Sequence, residues 1–474
     1  MACPTSILSH PPSWSNHSST QMSTQLQIPV ELLELIVANV DLLTSDRRQT
    51  LVACSYANRT LTAMCQKHIF RDIQIRQKVD RVSEGTIFTE DQGADGERFL
   101  ALIKSPKSRH LAAYVRNLAI NVVHELSYGY VNYKPDPNCH SSLKPDFPLY
   151  DITTRLPNLK RFAVLSSIGR TFTEWDTLHK RIQTFFSDLV QRLPEIDLRF
   201  FEDMLVSTFY NCPALEVLHV SAFHTTEIIP SCRSRLKFLD IGYDSPGLIK
   251  GAYFLNHFDP VYSPLDVTHL TGLKLASIEF LASDVNKILA LCANTLESLD
   301  LEVGVYGEYQ LSYTRESPQQ HSNSTLPNLG MLQNLRNLTL RSSIRGSPVS
   351  LLSEAENFYE SNTPSVSAIL QTLPLKLHSP FELLVDTLVQ GFPMDRLSIF
   401  PWSELVNVLQ EVRFSHISTL VKFIFREWQN SNYKEGNKLL DSNRLSEMLD
   451  QNDDLGKLGK KNICFMATSR LDYN

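Results

Sequence analysis

An apolar-x-x-apolar-x-apolar unit recurs from about residue 110 onward, and it constrains the fold of this chain more than any other feature. It stands at Val115–Ile120, Leu159–Val164, Leu193–Leu198, Leu215–Val220, Leu236–Ile241, Leu270–Leu275, Leu296–Leu301, Leu335–Leu340, Leu370–Leu375, Met394–Ile399 and Leu409–Phe414. The alternation that closes each unit is that of a short strand with one buried face. Turn formers announce several copies, as in Leu156-Pro157-Asn158, Cys212-Pro213-Ala214 and Leu332-Gln333-Asn334. Between the copies, Leu178–Leu193, Met204–Tyr210, Val285–Cys292, Phe381–Val389 and Ser403–Leu409 carry the spacing of amphipathic helices. Strand, turn and helix succeed one another at intervals of roughly 20 to 45 residues. That succession predicts a solenoid with irregular repeats.

At 474 residues the chain is longer than one compact core usually sustains, so more than one domain or an elongated array is expected. A net charge of −6 argues against a dedicated nucleic-acid surface. No run approaches the ~18 apolar residues of a membrane span. Residues Met1 to Gln25 are rich in Ser, Thr, Pro, His and Asn, lack the apolar core of a signal peptide, and read as a disordered tail. The eight cysteines are scattered from Cys3 to Cys464 with no Cys-x-x-Cys pair, so neither a disulfide framework nor a zinc site is suggested. Cytoplasm or nucleus is the expected compartment.

The second informative stretch runs from Ile28 to Ile75. Pro29 suits the first turn of a helix, and Leu32, Leu33, Ile36 and Val40 share one apolar face, which Leu35 and Val37 widen. Thr44-Ser45-Asp46 offers N-cap candidates for a second helix carrying Leu51, Val52, Cys54 and Ala57. A third segment, Leu61-Met64-Cys65-Ile69-Phe70, leads into the strand-like Arg71–Ile75. Three helices this short cannot enclose all of these aliphatic side chains, and such a surface usually waits for a partner.

These residues resemble a known family. Ile28-Pro29-x-Glu31-Leu32-Leu33-x-x-Ile36-x-x-x-Val40 is similar to the opening of the F-box. Thr50-Leu51-Val52-Ala53-Cys54-Ser55 and His68-Ile69-Phe70-Arg71-Asp72-Ile73 resemble its second half, in the form common in fungal F-box proteins. Where many members close a Val-Cys-Arg-x-Trp run with tryptophan, this chain has Leu61. The resemblance, over about residues 26–76, implies a small all-α module that docks on the Skp-type linker of a cullin-based SCF ubiquitin ligase. The residues implied to meet the linker are Ile28, Pro29, Leu32, Leu33, Ile36, Leu51 and Leu61.

The later repeats resemble leucine-rich repeats, a frequent companion of F-boxes. Leu332-x-x-Leu335-x-x-Leu338-x-Leu340 is the fullest copy. The Asn or Cys that usually follows the strand is absent, and Ser221, Ser342 and Ser343 lie in its neighbourhood. The expected class is therefore α+β overall, a helical module followed by an irregular α/β leucine-rich-repeat-like solenoid. The expected layout is a tail to residue 25, the module at 26–76, a linker at 77–109, the repeats at 110–429 and a polar tail at 430–474. Long insertions at Ser127–Tyr150, Tyr243–Pro264 and Tyr306–Asn328 are candidate recognition surfaces. Tyr128, Tyr130, Tyr133, Tyr243, Tyr253 and Tyr262 are candidate substrate anchors, because tyrosine is favoured at interfaces. Ile417–Trp428 reads as a capping helix, and Ile463–Ala467 as an apolar island without an assigned purpose.

No phosphate loop, Gly-x-Gly-x-x-Gly, His-Glu-x-x-His or Gly-x-Ser-x-Gly occurs. His219 and His224 lack a third ligand nearby in sequence, so no catalytic residue, metal site or cofactor is nominated. The expectation is a non-catalytic adaptor binding a Skp-type linker, with it a cullin, and an unidentified protein substrate. The alternatives are a repeat scaffold without a ligase role and an unrecognised α/β enzyme.

Overall fold

The computed structural model describes residues 28–43, 46–82, 85–89, 95–124, 148–166, 173–175, 178, 180–202, 204–221, 223–224, 232–242, 263–276, 282–303, 326–346, 359–361, 363–374, 381–390, 402–411, 418–426 and 463–468. The chain divides into two units, Met1–Ile69 and Phe70–Asn474. It combines helices with a large, mostly parallel sheet.

The first unit holds helices α1 (Val30–Leu43), α2 (Arg47–Ala57) and α3 (Arg59–Ile69). Pro29 opens α1 through its carbonyl, which accepts from Leu32 and Leu33. The inward face of α1 is Leu33, Val37 and Val40, rotated from the Leu32–Ile36 stripe read in the sequence. These side chains meet Leu51, Cys54, Leu61, Met64, Cys65 and Ile69 from α2 and α3. Asp46 precedes α2 without making a side-chain cap; Asn58 is the cap that forms, its Oδ1 accepting from Thr60 N at 2.8 Å at the start of α3. The Thr62 hydroxyl donates to Ser55 O at 2.7 Å and ties α3 to α2.

The second unit is built on a 14-stranded sheet. Asp72–Val82 pairs in parallel with Asn117–His124, and the ladder continues through Arg161–Ser166, Glu195–Asp197, Val217–Val220, Phe238–Gly242 and Gly272–Ala276. Ser298–Glu302, Asn337–Gly346, Glu382–Gln390, Ser418–Arg426 and Ile463–Thr468 extend it in the same sense. Gly85–Thr89 and Tyr359–Ser361 join it antiparallel. Register places Leu118, Phe162, Ile196, Leu218, Leu239, Leu273, Leu299, Leu338 and Leu383 in one row, none more than 1% exposed. Helices Lys180–Arg192, Ala282–Leu291, Thr363–Gln371 and Trp402–Leu409 contribute to the same core through residues such as Phe186, Ile288, Ile369 and Val406. Because side chains alternate along a strand, that leaves the opposite face of the sheet for polar residues.

The first eight copies of the repeated unit run into strands of this sheet, whereas the C-terminal part differs from its sequence reading. Leu370–Leu375 and Leu409–Phe414 begin at helix ends, and Met394–Ile399 lies outside the described residues. Phe381–Val389, expected as a helix, is strand: Phe381, Leu383 and Val385 alternate into the core. The expected capping helix Ile417–Trp428 contains the strand Ser418–Arg426, whose Leu-Val-x-Phe-Ile-Phe run suits a sheet better than a helix. Met204–Tyr210 is a two-residue strand and a 3-10 turn. The island Ile463–Ala467 lies within the strand Ile463–Thr468, so the expected polar tail includes part of the sheet.

The expected linker 77–109 is likewise structured. The strand that begins at Asp72, helix Asp95–Lys104 and a 3-10 turn at Arg109–Tyr114 belong to the second unit, with Phe99 and Ile103 buried. Arg71–Ile75 therefore goes with the sheet, and the module ends at Ile69.

Hydrogen bonds at the strand starts repeat from unit to unit. Glu216 N donates to Pro194 O, Lys237 N to Glu216 O, Thr271 N to Lys237 O, Glu297 N to Thr271 O and Arg336 N to Glu297 O, all at 2.8–2.9 Å. Side chains reinforce the turns: Asn158 donates to Ala113 O, Ser234 to Cys212 O, Thr295 to Thr268 O and Asn334 to Asn294 O. Ser221, near where an Asn was missed in the sequence, donates to Arg199 O and Phe201 O at 2.7 and 2.9 Å. Short polar residues thus supply donors to turn carbonyls, of which Cys212 O and Phe201 O are reached by buried bonds.

Candidate functional site

Two surfaces carry unused chemistry, one on each unit. On the first unit it is apolar. Ile28, Val30, Leu32, Leu35 and Ile36 stand 50–58% exposed, and Tyr56 is exposed by 86%. Of the exposed large apolar side chains among the described residues, only Tyr150 lies outside this unit. α1 turns Leu33, Val37 and Val40 toward the internal core, while its Val30, Leu32, Leu35 and Ile36 face solvent.

The seven residues nominated for linker contact therefore divide. Ile28, Pro29, Leu32 and Ile36 are exposed, whereas Leu33 and Leu61 are half-buried against the internal core. Leu51 is 1% exposed and is corrected from a contact residue to a core residue, since α2 turns it toward Val37 and Cys65. Val30 and Leu35 belong to the exposed ridge and were not nominated as contacts. The six nominated tyrosines, Tyr128, Tyr130, Tyr133, Tyr243, Tyr253 and Tyr262, lie outside the described residues.

On the second unit the polar face of the sheet carries a charged row. Register sets Asp197, His219, Asp240, Lys274 and Asp300 side by side, one per strand. One step along the strands, Glu302, Arg341 and Asp386 form a second row. Asp197 is fully buried and is held by Arg199, whose Nε and Nη2 donate at 3.0 and 2.8 Å. Asp240 is the hub: its Oδ2 accepts from His219 Nδ1 at 3.0 Å, Lys274 Nζ at 3.2 Å and Arg199 Nη1 at 3.3 Å. Arg341 Nη2 donates to Asp300 Oδ2 at 2.6 Å. The Phe238 ring packs against His219 with centroids 5.4 Å apart and lies over Gly272, where an added Cβ would come within 2.5 Å of it.

The pairing in this row is incomplete. Asp240 Oδ1, Asp300 Oδ1 and Arg341 Nε are buried and have no hydrogen-bond partner among the described residues. Burial alone would raise Asp240, but the His219 hydrogen bond and the charges of Lys274 and Arg199 outweigh it and hold the carboxyl below the ordinary carboxylate range. Burial raises Asp300, and Arg341 and Lys274 offset this incompletely while Asp240 repels it.

The two aspartates should therefore respond oppositely to neutralisation. Asp240 contributes stability that is complete above the unfolded carboxylate pKa and is lost as pH falls through its depressed folded value. Asp300 carries a penalty that is complete above its raised folded value and is relieved as pH falls through it. At pH 7, Asp240→Asn is expected to cost about 2 kcal/mol and Asp300→Asn less than about 1 kcal/mol or to stabilise. Urea unfolding of both variants at pH 7 checks the order; equal losses would contradict it.

Other features are less promising as a site. A depression of about 210 Å³ lined by Tyr150, Thr153, Thr154, Phe185, Asp188, Gln191 and Arg192 is smaller than usual small-molecule sites. Burial pushes the Cys212 thiol, with Cys232 nearby, and the Cys292 thiol up to about 12, so neither offers a thiolate at neutral pH. Among the described residues no group of three His, Cys, Asp or Glu is placed to hold a metal ion, and no helix is long and apolar enough to cross a membrane. In comparisons with known proteins, no family model matches the chain and no curated protein matches it.

Proposed function

We propose that this chain is the non-catalytic substrate-recognition adaptor of an SCF-type cullin ubiquitin ligase. The observation that carries the reading is the exposed ridge of Ile28, Val30, Leu32, Leu35 and Ile36 on a unit whose internal core is made by other side chains. Desolvating such a ridge against a protein partner is favourable roughly in proportion to the apolar area covered. The F-box resemblance of the same residues selects the partner, a Skp-type linker that also brings the cullin. The sheet-bearing second unit, read as an irregular leucine-rich-repeat-like array, holds a protein substrate. Its contribution to ubiquitin transfer is proximity, since tethering raises the local concentration of the substrate near a ubiquitin carrier supplied by other subunits.

A repeat scaffold with no ligase role is the second reading. It is favoured by Leu61, which packs inward against the core at the position where many F-boxes have tryptophan. Affinity purification of the tagged full chain from cytoplasmic and nuclear extract, followed by mass spectrometry, separates the two. The adaptor retains a Skp-type linker and a cullin together. Recovery of other partners with neither of these overturns the ligase assignment.

A further inference from the structure

We propose that the rim of the sheet around Arg116, Arg155 and Lys160 is a docking surface for a polypeptide segment that carries clustered acidic residues beside an apolar side chain. The starts of the first strands stack there: Arg116 N donates to Arg71 O at 2.9 Å and Lys160 N to Arg116 O at 2.7 Å, so the three residues occupy successive rungs about 4.8 Å apart. The Asn158 side chain donates to Ala113 O at 2.7 Å and ties the turn before Lys160 to the one before Arg116. Across Arg71–Asp72, Lys104–Arg116, Asp151–Arg161 and Asp188–Glu195 stand nine Lys or Arg and four Asp or Glu, in a chain whose net charge is −6. Three of those carboxylates are already matched, Asp72 by Arg71 at 3.0 Å, Asp151 by Lys104 at 3.1 Å and Glu195 by Arg161 at 3.1 Å. The next carboxylate along, Asp197, is held by Arg199. Lys107, Arg109, Arg116, Arg155, Lys160 and Arg192 are exposed and make no ion pair among the described residues, against one exposed unpaired carboxylate, Asp188.

A second feature adjoins this charge. Arg192 and Asp188 line the depression of about 210 Å³ beside Tyr150, whose side chain is 58% exposed and meets the Phe185 ring with centroids 6.3 Å apart. Too small for a whole small-molecule ligand, the depression suits one apolar side chain, and Tyr and Arg are among the residues that most often anchor interfaces. The extent of the charge selects a polypeptide over a nucleic acid. On the rungs after Lys160, Glu195 is paired with Arg161 and Glu216 with Lys237 at 2.9 Å, so the excess ends there. A nucleic acid would carry its phosphates on past these carboxylates, over a chain that is acidic as a whole. A polypeptide confines its acids to the stretch that meets the cations and places an apolar residue in the depression.

The inference rests on the reading that the second unit holds a protein, and it names the chemistry of the segment that docks. It is tested on the full chain by fluorescence anisotropy with a fluorescein-labelled Gly-Glu-Glu-Phe-Glu-Glu-Gly peptide, its counterpart with Gln for Glu, and a short single-stranded DNA carrying the same label. The acidic peptide is expected to bind at least about tenfold more tightly than either. Lys160→Glu is expected to weaken it about tenfold, whereas Lys237→Glu, the same charge change at the paired rung, weakens it less than about twofold. Both lysines are exposed, so neither reversal disturbs the core, and Lys160→Arg keeps the affinity. Tyr150→Ala weakens both peptides by the same factor of about five. Equal binding of the two peptides, tighter binding of the DNA, or equal losses from Lys160→Glu and Lys237→Glu overturns the proposal. Linker capture without preference for the acidic peptide overturns this inference alone, whereas that preference without linker capture overturns the ligase reading and leaves this one standing.

Discussion

Glutamate at both Leu32 and Ile36 is expected to abolish capture of a Skp-type linker while leaving the first unit folded. Both side chains are at least half exposed, at 50% and 52%, so charging them costs the free chain about 0.5 kcal/mol or less. In a docked interface each would be an aliphatic anchor worth about 2–4 kcal/mol, and burying a carboxylate there adds a further penalty. A loss of about a thousandfold in affinity follows. Leu33 is excluded from this test because it packs inward with Val37 and Val40. Leu51→Ala provides the contrast: it opens a cavity beside Val37, Met64 and Cys65, costs about 3 kcal/mol and melts the helices themselves. Both variants lose the linker, but only Leu51→Ala loses helical protection from protease. Undiminished linker capture by the double glutamate variant would refute the docking surface.

Phe186→Ala is expected to destabilise the second unit by about 4 kcal/mol. The ring touches Phe162, Trp175, Phe185 and Phe201, with centroids 5.0–5.9 Å apart in tilted arrangements. It reaches from helix Lys180–Arg192 to Phe162 on the sheet, so its removal separates two layers as well as leaving a void. Phe186→Leu refills most of the volume and should cost about 1–2 kcal/mol. Urea unfolding followed by near-ultraviolet circular dichroism reads both, because Trp175 lies within the same cluster. A loss below about 1 kcal/mol for Phe186→Ala would show that the cluster is loosely packed.

The legibility of the strands depended on how each apolar run was patterned. Leu215-x-x-Leu218-x-Val220 and its counterparts at 236, 270, 296 and 335 repeat one local pattern, and each of their apolar residues is buried. Phe381–Val389 is ambiguous in the sequence because Leu383, Leu384 and Val385 satisfy a helical period as well as an alternating one. Neighbouring strands at Asn337–Gly346 and Ser418–Arg426 resolve that ambiguity by supplying backbone partners on both sides. The same reason explains Asp72–Val82 and Ile463–Thr468. Only the start of the first, within the strand-like Arg71–Ile75, is legible in the sequence, and each gains hydrogen bonds from a parallel neighbour.

The apolar ridge was visible as an excess of aliphatic residues, but its orientation was not. A helix greasy around most of its circumference does not state which side its own unit will take, and packing chose Leu33, Val37 and Val40. The charged row was not visible at all. His219, Asp240, Lys274 and Asp300 each occupy a polar position inside an apolar strand, separated by 21 to 34 residues from the partner they meet at Asp240 or, for Asp300, brought beside Lys274 by register.

The amino-acid sequence alone determined that the chain has a short helical part and a long array of strands and helices, because periodicity is a property of neighbours in the chain. It also determined that the helical part holds more aliphatic surface than it can bury. Only the tertiary structure decided which of those side chains remain in solvent and which charges stand together. Both outcomes depend on register and packing between segments distant in sequence, where a shift of one residue would turn Asp240 into the core and Leu239 out of it.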